Sequence, residues 1–103
     1  MSAAKLSEWL KGRSLPRLTP HTITQVRVLR QHIAQARKDD FCFASEEHEL
    51  GVQALAVPLR DMQGRTVAAL NVVLSGGRYQ EDVLRRDMLP LLFEAAREVR
   101  ALL

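Results

Sequence analysis

The apolar positions follow a helical period first, then a strand period, then a helical one again. Leu6, Trp9 and Leu10 share a helical face and predict a short helix over 3–11, with Gly12 at the place of a stop signal. Residues 14–20 carry Pro16 and Pro20, and each disfavours the helical conformation of the residue before it, so this connection reads as extended. Thr24 then stands as an N-cap for a helix over 24–38. Val26, Leu29, Ile33 and Ala36 follow at steps of three, four and three, with Arg27, Arg30, Gln31, Arg37 and Lys38 on the polar face. Asp39-Asp40 ends or follows that helix.

From Phe41 the period shortens to two. The pattern predicts a strand over 41–44, an acidic loop over 45–51, and strands over 52–59 and 66–74. The turn Asp61-Met62-Gln63-Gly64 joins the last two into a hairpin. Ser75-Gly76-Gly77 breaks the chain, and 80–102 is helical again, with Met88, Leu92, Ala95, Val99 and Leu102 on one face. Pro90 within that stretch kinks it or starts a new helix. The expected class is α/β, more strictly α+β: an antiparallel sheet of about three strands flanked by helices.

The chain has 103 residues, the size of one small domain. With 47% hydrophobic and 26% charged residues, wholesale disorder is excluded. No apolar run approaches the ~18 residues of a membrane span, and the N-terminus lacks the apolar run of a signal peptide. A cytoplasmic protein with no membrane partner is the expectation. The lone Cys42 excludes an internal disulfide or a multi-cysteine metal site and is expected to be a buried, inert thiol. Charge is uneven. Residues 1–38 hold eight basic side chains against Glu8, a net of +7, whereas residues 39–103 hold seven basic and eleven acidic, a net of −4. A basic half attracts nucleic acid by counterion release, or serves as a solvated face opposite an acidic surface.

The hairpin is the most informative segment. Side chains two apart share a face. With Val57 set opposite Ala68, one face is bulky (Leu55, Val57, Leu59, Leu70, Val72, with Gln53, Thr66 and Ala68) and packs on helices. The other is small (Val52, Ala54, Ala56, Pro58, Val67, Ala69, Val73), with Asn71 as its amide. Such a face suits a small-molecule pocket, or equally a close helix approach in which Asn71 bonds backbone.

Catalytic motifs are missing. Glu46-Glu47-His48-Glu49 lacks the second histidine that a zinc-protease helix needs four residues after the first, a position held here by Val52. His21 and His32 stand apart from any nucleophile, and the glycine pair 76–77 lacks the lysine of a phosphate loop. Five aromatic residues are too few for a base-stacking surface, and there is no helix-turn-helix. No enzyme, metal site or cofactor is implied.

Taken together, Leu15-Pro16, His21-Thr22-Ile23-Thr24, Phe41, Glu46-Glu47-His48-Glu49-Leu50-Gly51-Val52, Ala56-Val57-Pro58-Leu59-Arg60-Asp61, Gly64, Ala68-Ala69-Leu70-Asn71-Val72 and Leu89-Pro90 resemble one family. In order and spacing the chain is similar to the C-terminal effector-binding domain of IclR-family bacterial transcription regulators. Within that family it most resembles the branch that controls aromatic acid breakdown, the protocatechuate- and hydroxybenzoate-type regulators. The resemblance implies a partial GAF-like effector domain over residues 1–103, without the DNA-reading winged helix and the opening strands of the pocket. It implies a small carboxylate effector, lined by Ala44, Val52, Ala54, Asn71 and Val73. It also implies homo-oligomers and no specific DNA binding by this portion. The alternative is a ligand-free oligomerisation module. Two departures stand out. Asp40 precedes Phe41 where the family usually has Gly, and Ala44-Ser45 replaces acidic residues, which implies a lost polar contact at Ala44.

Overall fold

A computed structural model describes residues 2–75 and 79–103. The predicted break at Ser75-Gly76-Gly77 therefore falls, for Gly76 and Gly77, outside the described residues. In chain order the elements are α1 (Ala3–Leu10), α2 (Val26–Asp39), β1 (Cys42–Ser45), β2 (Val52–Arg60), β3 (Thr66–Ser75), α3 (Glu81–Asp87) and α4 (Leu89–Val99), with a 3-10 turn over Arg100–Leu102.

Local chemistry sets most of the boundaries. The Ser2 hydroxyl accepts the Lys5 backbone N–H and caps α1, which ends before Gly12 at φ +74. Pro90 occupies the first turn of α4, where a missing N–H costs no helical bond, so the C-terminal stretch divides at Met88 into two helices. Thr24 is not the cap of α2. That helix begins one residue later, at an extended Gln25 with no side-chain cap bond, because the Thr24 hydroxyl is turned toward Arg17.

The sheet is antiparallel with order β1-β2-β3. Val57 pairs with Leu70 and not with Ala68. Two features move the register. The loop takes five residues, Asp61 to Arg65, and a bulge at Leu59/Arg60 leaves Val67 as an extra residue on β3. Asp61 organises this loop: its backbone N–H donates to the Arg65 carbonyl, and its carboxylate accepts the N–H groups of Gln63 and Arg65. The slip of two residues leaves the side chains from Ala68 onward on their expected faces, because faces alternate with a period of two. Thr66, expected on the bulky face, instead lies beyond the bulge, pairs with Arg60 and borders the space on the small-residue side.

The bulky face carries the core. Leu55 and Val57 are fully buried and pack with Leu84 of α3 and Leu89 and Leu92 of α4. Gln53 is buried on that face with its amide satisfied. It donates to the Tyr79 carbonyl and the Ser45 hydroxyl and accepts the Tyr79 N–H. The small face looks the other way, toward α2, and no residue of α2 is fully buried. The helix that precedes the sheet therefore stands over it without closing onto it. No helix is long and apolar enough to cross a membrane, among the described residues.

Candidate functional site

The register stacks small side chains in rows across the three strands. Ala44, Ala54 and Val73 form one row, and Cys42, Ala56 and Asn71 the next, with Pro58 beside Ala69 beyond them. Small residues leave room above the sheet, and α2 roofs it with Leu29, Ile33 and Ala36. The result is a cleft of about 710 Å³ with Ala44 at one end, within the roughly 300–1,000 Å³ usual for small-molecule sites. Its floor is Ala56, Pro58 and Ala69.

Its polar groups gather at the edges. His32 and Arg37 project from α2, and Asp40, Arg60 and Thr66 meet at the end where β2 enters the hairpin bulge. Arg60 Nη2 lies 2.8 Å from Asp40 Oδ1, both side chains being about half exposed. The opposite end is bounded by Glu47 in the acidic loop.

That loop is tied down from outside. The hydroxyls of Thr19 and Thr22 donate to the carbonyls of Glu46 and Glu47. Glu46 is buried at φ +58, and its Oε1 accepts the Gly51 N–H at 2.8 Å. Its Oε2 sits 3.7 Å from His21 Nε2. The acidic cluster is thus a clasp between the Leu18–Thr22 turn and the loop that leads into β2. Among the described residues no group of three His, Cys, Asp or Glu is arranged to hold a metal.

The five residues expected to line a site all lie on the small face, but only Ala44 reaches the cleft. Ala54 and Val73 sit in its row, Asn71 one row on, and Val52 at the start of β2 opposite Ser75. Asn71 and Val73 are exposed. Asn71, expected to bond either a ligand or the backbone of a closely packed helix, is instead open to solvent, because β3 is an edge strand and the roof of α2 does not extend over this part of it. Cys42 is also corrected. It is exposed on the edge strand β1, although partial burial of the thiol, then the negative charges of Glu47 and Glu81, push its pKa up and keep it protonated. The roofing residues of α2 were read as an ordinary amphipathic stripe, and nothing in their spacing separates a cleft wall from a core. The Asp40–Arg60 pair is twenty residues apart in sequence and had no periodic signal, although Asp40 itself stood out as a departure.

A second, smaller cleft of about 430 Å³ lies between α1 and α2, with Leu6 and Ile33 inside and Arg27, Arg30 and Arg37 around it.

Compared with known proteins, residues 1–101 match the family described as bacterial transcriptional regulator IclR C-terminal. The chain is 43% identical over 95 residues to the p-hydroxybenzoate hydroxylase transcriptional activator of Acinetobacter baylyi, covering 92% of this chain and 35% of that protein. It is 45% identical over 96 residues to the Pca operon regulatory protein of the same organism, covering 93% of this chain and 34% of that one. The chain thus spans about a third of the length of these relatives. Among solved structures it superposes on the inducer-binding domain of the PobR transcription factor from Acinetobacter, a double mutant in complex with 3-hydroxybenzoic acid, with a TM-score of 0.92 and 41% identity. All of this chain and 59% of that one are covered. The Thermotoga maritima IclR structure matches at TM-score 0.80 and 31% identity, over 94% of this chain and 39% of that one.

Proposed function

Because the chain belongs to the IclR family of bacterial transcriptional regulators, matching its C-terminal domain over residues 1–101, we propose that it senses a small aromatic carboxylate. The observation that carries this reading is the cleft between α2 and the small face of the sheet. Its middle is apolar, its volume of about 710 Å³ accommodates a small aromatic molecule, and its edges offer Arg60, Arg37 and His32 to an acid group. The hydroxybenzoate bound to the PobR neighbour supports the same class of ligand. Ala44 and the continuing face of Ala54, Val52, Asn71 and Val73 form the proposed inner wall, with the alanines setting the size limit.

No catalytic step is part of this function, and no cofactor takes part. The effector acts by binding one arrangement of the regulator better than another, since equal affinity for both moves no equilibrium. DNA is contacted by another part of the regulator, in the cytoplasm, and this portion has no sequence preference of its own. A thermal-shift series on the 103-residue chain tests the proposal. Hydroxybenzoates and related aromatic acids are expected to raise the melting temperature as their concentration rises, logarithmically once it exceeds Kd, as any ligand of the native state does. Stabilisation by divalent metals but by no aromatic acid would overturn it.

A further inference from the structure

The end of the cleft holds an unusual residue. Asp40 follows the last turn of α2 in the left-handed conformation, φ +61 and ψ +23, which glycine adopts freely and other residues rarely. Its carboxylate also sits at the C-terminal end of the helix, where aligned peptide dipoles repel negative charge. Backbone and electrostatics both disfavour an acid here. What favours it is Arg60, reached from the neighbouring strand at 2.8 Å. Asp40, Arg60 and Thr66 all border the cleft, and Thr66 is the residue paired with Arg60 across the hairpin.

Among the described residues, this single Nη2···Oδ1 contact is the one ion pair of Arg60. A guanidinium has five N–H donors in a planar fork and grips a carboxylate best through two. The Asp40 contact leaves that better grip unused, and both side chains remain about half open to solvent.

We propose that Arg60 is the carboxylate-recognition residue of the cleft and that Asp40 is its built-in competitor. This rests on the proposed sensing of an aromatic carboxylate. The ring lies over Ala56, Pro58 and Ala69, and the acid group takes the guanidinium fork, with the Thr66 hydroxyl donating to a second oxygen. Asp40 is released. Since Asp40 is the cap of α2, and its own N–H holds the Ala36 carbonyl at 2.8 Å, ligand binding exchanges a bond between α2 and the sheet for one between ligand and sheet. The helix that roofs the cleft is thereby the element whose tie to β2 reports occupancy.

Competition predicts opposite signs for the two halves of the pair. Calorimetric titration with 3-hydroxybenzoate and with its methyl ester, on the 103-residue chain, reads both. Arg60→Gln should weaken binding of the acid by about tenfold or more, the scale of a lost hydrogen bond to a charged group. It should leave the ester unchanged. Asp40→Asn keeps a side chain that tolerates the left-handed conformation, and should tighten binding of the acid by about two- to fivefold, the worth of a half-exposed ion pair removed from competition. Asp40→Gly should give the same sign, which guards against a special effect of asparagine. If the pair is only a structural tie, Asp40→Asn and Arg60→Gln weaken acid and ester alike, and the inference is overturned. Wild type that binds neither compound overturns the sensing proposal as well. Wild type that binds the acid while Arg60→Gln binds it equally well overturns only the role of Arg60.

Discussion

Asp61 shows how one side chain fixes the geometry around the cleft. Its buried carboxylate accepts two backbone N–H groups and the Arg65 guanidinium, and its carbonyl accepts Arg100 Nε. The backbone bond from Arg65 is the largest cause holding its pKa below the ordinary 3.8, ahead of the Arg65 side chain and the Gln63 N–H. A depressed pKa means that this contribution to stability is complete above the unfolded carboxylate range and is lost as pH falls through the folded value. Asp61→Asn should lower the melting temperature at neutral pH by several degrees and flatten the acid limb of the stability curve, as followed by circular dichroism from pH 7 downward. Asn71 behaves differently. It is exposed, so Asn71→Leu should change stability by less than about 0.5 kcal/mol, while any loss of effector affinity would mark it as part of the wall. The turn around Asp61 was legible because Asp-Met-Gln-Gly is a local signal. Asn71 was misjudged because burial on an edge strand depends on what lies above it. Asp40 stood out only as an acid where a relative has glycine, and its left-handed backbone explains why glycine fits there.

The elements divide into those that hold the molecule together and those that shape its cleft. On the α4 side, Leu92 is 6% exposed and sits against Leu55 and Val57. Leu92→Ala should cost about 2–5 kcal/mol in urea unfolding, a transfer loss plus a cavity. On the α2 side, Ile33 is only half buried. Ile33→Ala should cost well under that range and act chiefly on ligand affinity. The hydrophobic stripe of α2 has the same spacing as that of α4, so periodicity placed both helices but not their different depths. The hairpin faces were legible for the same reason that its register was not. Alternation survives a slip of two residues, whereas pairing depends on the bulge at Leu59/Arg60, which no pattern of apolar residues encodes. The ten-residue strand β3 presents an outer edge with Val67 and Val73 exposed. Exposed edges pair with other chains. Sedimentation should show concentration-dependent self-association of the 103-residue chain, reduced by Val73→Lys.

At the scale of the whole molecule, one face of the sheet is closed by α3 and α4 and the other is left open beneath α2. The basic part of the sequence, residues 1–38 with a net of +7, includes most of the helix α2 that roofs this opening. At the cleft itself Arg37 and Arg60 stand against Asp40 and Glu47, so any pull on an anion is local to the guanidinium groups and weakens as salt rises. The net charge of residues 1–38 should give DNA only a weak, sequence-blind attraction that disappears with salt. This fold class was legible from the change of period along the chain, and the family from a spaced set of residues. The floor of the cleft was legible as the small face of the hairpin, but its roof was not, because the opening arises from the distance between α2 and the sheet, a property of no single segment. The central claim, that this space holds an aromatic carboxylate, is tested most directly by a two-dimensional NMR titration of the 103-residue chain with 3-hydroxybenzoate. The account predicts saturable shifts concentrated at Ile33, Ala36, Ala56, Arg60 and Ala69, with Leu84 and Leu92 on the far side of the sheet unmoved. Shifts confined to the groove between α1 and α2, or no shifts at millimolar ligand, would contradict it.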